Sequence, residues 1–200
     1  MPSPLARAFY MRDAVSVARD LLGKKLVCRD GMGETSGIIV EVEAYAGRED
    51  AACHSYKRKG PSEKHRTNVM FGPGGYAYVY LIYGMYNCFN VVANAPGEPE
   101  AVLVRALEPR DGVPLMERRR KTRNVKKLCS GPGKLCMALG ITRASYGADL
   151  CVSGALFITD GEPISGDRIS ATPRINVDYA GEAALLPYRF ILRDSEFLST

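Results

Sequence analysis

Ile38-Ile39-Val40-Glu41-Val42-Glu43-Ala44-Tyr45, followed by a polar run that ends in His54, is the stretch whose reading decides the fold. Its alternation puts Ile38, Val40, Val42 and Ala44 on one face of an extended strand, and Ile39, Glu41, Glu43 and Tyr45 on the other. Glu43 and Tyr45 therefore share a face. A carboxylate near a strand end, beside an aromatic ring and followed by one of the chain's two histidines, has the parts of a pocket for a flat ligand. An edge strand with Glu41 and Glu43 in solvent accounts for the same residues.

A second run weighs against the plainer alternative. Tyr76-Ala77-Tyr78-Val79-Tyr80-Leu81-Ile82-Tyr83-Gly84-Met85-Tyr86 sets Tyr76, Tyr78 and Tyr80 on one strand face and then reaches Gly84, which suits a tight hairpin turn. The return strand is expected over Asn87 to Ala93. Tyr83 and Met85 then flank the turn as exposed apolar tips, a placement that folding alone does not require and that suits wedges between stacked bases. A core tyrosine beneath the sheet is the structural alternative for Tyr83.

The segments IVEVEAYAGREDAACHS, YAYVYLIYGMYNCFNVV, AVLVRALEP and CSGPGKLCMALG, in that order, together resemble the alkyladenine (3-methyladenine) DNA glycosylases over roughly Leu22 to Leu192. The resemblance implies an enzyme that flips a damaged purine, such as 3-methyladenine or hypoxanthine, out of duplex DNA and hydrolyses its bond to deoxyribose. It implies Glu43 as general base, with Arg105 and the Ile175 carbonyl helping to orient the attacking water. Tyr45, His54, Tyr80, Asn90 and Leu103 would form the base pocket, with Asn90 as the gate against guanine. Tyr83, with Met85, would fill the vacated gap in the duplex. No metal or cofactor is implied. Cys53 and the basic loop after His54 lie outside these motifs and leave the preferred lesion open.

Composition fits this reading. The 200 residues, 46% of them hydrophobic, suffice for one domain with a sizeable core, expected to span residues 1–200. No apolar run approaches the ~20 residues of a membrane helix, and no leader segment is visible, so an expectation of a soluble protein follows: cytoplasmic and nucleoid-associated in a bacterium or archaeon, nuclear in a eukaryote. The six cysteines form no C-x-x-C pair and read as reduced, mostly buried thiols.

The net charge of +5 is unevenly spread. Residues 111–127 hold seven basic side chains against two acidic, and Lys57, Arg58, Lys59, Lys64 and Arg66 stand against Glu63 alone, whereas residues 144–200 hold eight acidic against four basic. Positive charge gathered beside the two strand motifs is the footprint of a phosphate-gripping surface, although Arg118 to Lys121 also reads as a solvated helix face. The expected partner is double-stranded DNA carrying damaged purines, bound by a monomer, with Arg118, Arg119 and Lys134 on the backbone. A catalytically silent damaged-DNA or architectural protein would share the basic surface and Tyr83 without needing Glu43 or Arg105. A single-strand or RNA binder would share the aromatics.

The expected fold class is α+β, a curved antiparallel sheet with a protruding hairpin and peripheral helices. Asp13 caps a helix over Ala14 to Leu22, Leu26-Val27 opens the first strand, and Ala46 to Pro73 forms a long functional loop. Ala101 to Arg105 forms a strand with Leu103 and Arg105 on one face, and Arg105 either snorkels to solvent or pairs with a carboxylate such as Glu43. Helices follow from Pro114 to about Arg123 and, capped by Ser130, through Leu139. Strands are expected at Leu150 to Val152, Leu156 to Thr159 and Tyr188 to Leu192.

Overall fold

The strands Lys25–Asp30 (β1) and Gly33–Tyr45 (β2) begin an antiparallel sheet that the remaining strands extend on both sides. In this computed structural model, which describes residues 3–152 and 154–199, the others are Ala77–Ile82 (β3), Tyr86–Ala93 (β4), Glu100–Pro109 (β5), Leu156–Thr159 (β6), Ile169–Thr172 (β7) and Arg189–Leu192 (β8). The order is β3-β4-β5-β2-β1-β6, with β8 pairing both β2 and β7. The α+β class holds.

β2 is central, which overturns the edge-strand alternative. At 13 residues it pairs β1 along its first half, then β8 at Glu41–Glu43, and β5 on its other side. Glu41 and Glu43 are fully buried.

The alternation in β2 is broken once, and the break matters. Opposite β5, Ile39 faces Leu107 and Glu41 faces Ala106, so Val40 is an extra residue; Glu41/Val42 then skips Arg105, which is extra on β5. These paired bulges put Ile39 into the same core cluster as Val40, Val42 and Ala44, while Ile38 drops out of it. A strict period of two cannot foresee an inserted residue.

The helices are Arg7–Tyr10 (α1), Ala14–Leu21 (α2), Val113–Arg120 (α3) and Pro132–Leu139 (α4). Asp13 caps α2 as expected, its side chain accepting from the Ser16 amide. α3 stops at Arg120, short of Arg123, because Lys121 turns to a left-handed conformation. Ser130 is not the cap of α4: Gly131 occupies that place, and Ser130 instead bridges to Ala106 of β5. Leu150–Val152 is a turn, not a strand, because its Leu150 amide bonds back to Gly75 and the Cys151 amide to the Asp149 carboxylate. β7 was not anticipated; three of its residues are half-buried and Ala171 is exposed, which carries no alternating pattern.

The core lies between the sheet and α2 and α4, with Leu21, Ile39, Phe89, Leu107, Leu135 and Ile158 inside it. The opposite face of β2, β3 and β4 carries the aromatic and ionisable residues. Among the described residues no helix is long and apolar enough to cross a membrane.

Candidate active site

β2, β3, β4 and β5 together wall a cavity of about 740 Å³. Tyr45, His54, Tyr80, Asn90, Leu103, Arg105 and Ile175 all line it, with Tyr83 and Lys134 nearer its mouth. The sequence reading grouped these residues from separate segments, and the sheet brings them into one space. Glu43 faces Leu103 across the β2–β5 ladder, which sets it among the same side chains.

Glu43 is held by three donors. The Ile175 amide donates to Oε1 at 2.8 Å, an Arg105 guanidinium nitrogen lies 3.2 Å from the same oxygen, and the Tyr45 hydroxyl donates to Oε2 at 2.9 Å. A carboxylate offers about four lone-pair sites, so Oε2 is the oxygen with room for one further donor. Arg105 reaches this place because it is the bulged residue of β5, a device that re-aims a side chain within a sheet.

Arg105 is not paired with Glu43 alone. Its Nε donates to Glu41 Oε1 at 2.9 Å, and Glu41 also accepts from Arg189 Nε at 2.8 Å and from the Ser199 amide and hydroxyl at 2.6 and 2.7 Å. Burial pushes the Glu41 pKa up, but the Ser199 donors and Arg189 outweigh it and hold the group below the usual value. On Arg105, burial acts downward, and Glu43 and Glu41 more than reverse it. The guanidinium is thus fixed between two carboxylates two residues apart on one strand face. No sequence signal pointed to Ser199 or Arg189.

The aromatic wall is uncharged. His54 and Tyr80 meet edge-on at 4.7 Å between ring centroids, and His54 Nδ1 lies 3.0 Å from the Tyr78 hydroxyl. Burial, followed by the nearby Arg66 and His65 charges, lowers the His54 pKa to about 4, so the imidazole is neutral around pH 7. Burial likewise raises the hydroxyls of Tyr45 and Tyr80 above the ordinary phenol value. Asn90 Nδ2 donates to the backbone carbonyls of Tyr78 and Cys88.

The segment bearing Ile175 is anchored by a buried ion pair that the sequence reading missed. Arg174 NH1 and NH2 meet Asp50 at 2.5 and 2.8 Å and also reach the carbonyls of Ala44 and Ala183. The available signal was an arginine directly before Ile175 and an acidic pair in the loop after β2. Tyr179, 72% exposed, stands on this segment at the cavity rim.

The hairpin tip is as expected. Tyr83 and Met85 are 78% and 65% exposed, so Tyr83 is not a core residue. Tyr83 and Gly84 both take positive φ, +52° and +69°, in a three-residue loop closed by the Ile82–Tyr86 pair, with the Met85 amide donating to the Ile82 carbonyl.

The basic run divides on inspection. Arg118 is exposed; Arg119 is ion-paired to Asp30 and donates to the Ala138 carbonyl, holding α3 and α4 to the β1–β2 turn; Arg120 reaches the cavity wall. Lys134 points along Gly131 into the cavity rim, with Nζ 3.4 Å from Ser130 Oγ. Among the described residues no three His, Cys, Asp or Glu side chains gather as a metal site would need.

A family model for methylpurine-DNA glycosylase (MPG) matches residues 8–196. The chain belongs to this family. Three curated relatives named "Putative 3-methyladenine DNA glycosylase" extend the likeness. That of Methanocella arvoryzae is 52% identical, covering 98% of this chain and 95% of the relative. That of Myxococcus xanthus is 49% identical over 98% and 93%, and that of Bacillus cereus strain G9842 is 50% identical over 96% and 97%. As a methylpurine-DNA glycosylase family member the chain is a DNA glycosylase, its substrate is DNA, and the bond it hydrolyses joins base to sugar. The cavity lined by Tyr45, Arg105 and Ile175, with Glu43 buried behind them, is the candidate active site of this DNA glycosylase.

Proposed function

We propose that the chain is a monofunctional DNA glycosylase that draws a damaged purine, 3-methyladenine or hypoxanthine, out of the duplex into the cavity between Tyr45, His54 and Tyr80. Glu43 takes a proton from water, the water oxygen bonds to C1′ of the deoxyribose, and the base leaves with the electron pair of the broken C1′–N bond, giving an abasic site. The observation that carries this reading is a fully buried carboxylate, oriented by Arg105 and the Ile175 amide, at an aromatic cavity beside a hairpin with two exposed apolar tips.

The energetics are compatible. Extruding a nucleotide costs a few kcal/mol, and stacking a base on an aromatic ring returns about 1–3 kcal/mol, so two or three ring contacts offset the cost. Stacking tolerates different purines. The neutral His54 adds no repulsion toward a methylated purine that carries positive charge.

The test is release of free base from duplex oligonucleotides carrying single lesions, followed by strand scission in alkali to reveal the abasic sites. Release of 3-methyladenine and hypoxanthine, without strand breakage before alkali, is the expected result; tight lesion binding with no release would leave only the catalytically silent binder. Glu43→Gln keeps the shape of the side chain but does not accept the water's proton, so it should bind lesion DNA and lose about 10²–10⁴ of the release rate. Wild-type turnover in that variant would remove Glu43 from the mechanism.

A further inference from the structure

Of the three donors that hold Glu43, two stand on a single side chain outside the cavity. The Ile175 amide follows Arg174 directly in the chain, and the Tyr45 hydroxyl belongs to a ring whose centroid lies 4.9 Å from the Arg174 guanidinium carbon. That guanidinium uses both terminal nitrogens twice. NH1 donates to the Ala44 carbonyl, next to Tyr45, and to Asp50, while NH2 donates to Asp50 and to the Ala183 carbonyl. Asp50 in turn accepts from the Ala46 and Ala52 amides, and its own carbonyl accepts from the Cys53 amide, beside His54. The end of β2, the loop bearing His54 and the Ile175 segment therefore meet at one ion pair, and each of them delivers a residue to the cavity wall.

Neither Arg174 nor Asp50 lines the cavity, and their side chains are 0% and 1% exposed. A pair so buried is a poor source of stability, because the cost of desolvating two charges offsets much of their attraction, and apolar residues of similar volume often serve a fold as well. What a planar fork with four hydrogen bonds does supply is direction. We infer that Arg174 and Asp50 are positioning residues for base release, a clamp that aims the Ile175 amide and the Tyr45 hydroxyl at the two oxygens of Glu43 while fixing the Tyr45 ring and the His54 loop as walls for the base. The inference rests on the proposed role of Glu43. Arg105, the third donor, has its separate support in Glu41.

The clamp is tested with Arg174→Gln/Asp50→Asn, which leaves no unpaired charge inside the protein, and with Arg174→Lys, which keeps the charge and loses the fork. In single-turnover release from lesion duplex at saturating protein, each variant should lose about 10²-fold in rate, the cost of roughly an ångström of misplacement, while lesion affinity changes by no more than about threefold. Hydrogen exchange reads the clamp directly. The Ile175 amide should exchange about tenfold faster or more in the variants, while the amides of Phe89 and Leu107 in the core keep their wild-type rates. Release and Ile175 exchange that both match wild type overturn the inference, as do affinity, release and core protection that fall together, the pattern of a general support of the fold. Exchange is measured without base release, so a wild-type protein that released no base would count against the proposed function, and the clamp would still be judged on Ile175.

Discussion

Asn90 is committed before any substrate arrives. Its Nδ2 is held by two backbone carbonyls, so the amide is fixed in place, and the gate role that the family resemblance implies for Asn90 would act by steric exclusion. Guanine differs from hypoxanthine by an exocyclic amine, and a rigid wall against that amine discriminates by about 1–3 kcal/mol, roughly ten- to a hundredfold. Asn90→Ser should therefore raise release of normal guanine, most visibly from mispairs, while hypoxanthine release falls much less; background guanine release in an otherwise active Ser variant would place the selection elsewhere. His54 governs a different property. The unfolded chain binds its proton near pH 6.5 and the folded protein only near pH 4, because the ring is buried. The contribution of this residue is thus fully present above about pH 6.5 and is lost as pH falls toward 4. Thermal melts of wild type and His54→Phe across pH 7 to 4 should show a shallower acid decline in the variant, and parallel curves would refute the assignment.

At the scale of elements the hairpin carries the clearest sign of function. A tyrosine at φ +52° costs about 1 kcal/mol or more relative to an ordinary conformation, and an exposed ring recovers little of that by packing. Tyr83→Ala should leave the melting temperature nearly unchanged and weaken binding to a lesion in duplex more than to the same lesion in single strand, since only the duplex leaves a gap to fill. Equal losses in the two forms would end the wedge role. This element was legible because its alternation, its glycine and its misplaced apolar tips are all local properties. So were β1, the second half of β2, α2 and the long loop. What was not legible depends on pairing: the bulges at Val40 and Arg105, the central place of β2, and the four-residue β7 follow from which strand lies alongside, and nothing local encodes that. The Glu43–Tyr45–His54–Tyr80 group could be read because its members fall in two patterned stretches. Asp50, Arg174, Arg189 and Ser199 escaped because single polar residues in irregular segments look the same whether they bind solvent or a buried partner.

The whole molecule assembles its candidate active site from segments spread along the chain. Glu43 and Glu41 come from β2, Arg105 from β5, Ile175 from the segment clamped by Arg174, and Ser199 closes on Glu41 across 158 residues of sequence. Ser199 is not among the cavity-lining residues; it completes the set of donors that fixes Glu41, and its hydroxyl also accepts from the Arg105 guanidinium at 3.3 and 3.4 Å. Ser199→Pro removes the amide donor and the hydroxyl while keeping Phe197 and Leu198 against the core. Base release should fall, by up to about 10²-fold if the guanidinium shifts by an ångström, with lesion affinity little altered. Equal losses in affinity and release would reduce Ser199 to a general support of the fold. The 158-residue closure also has a meaning in time. During synthesis Glu41 and Arg105 leave the ribosome well before residue 199, so the donors that Ser199 gives to Glu41 are the last of that set to be put in place.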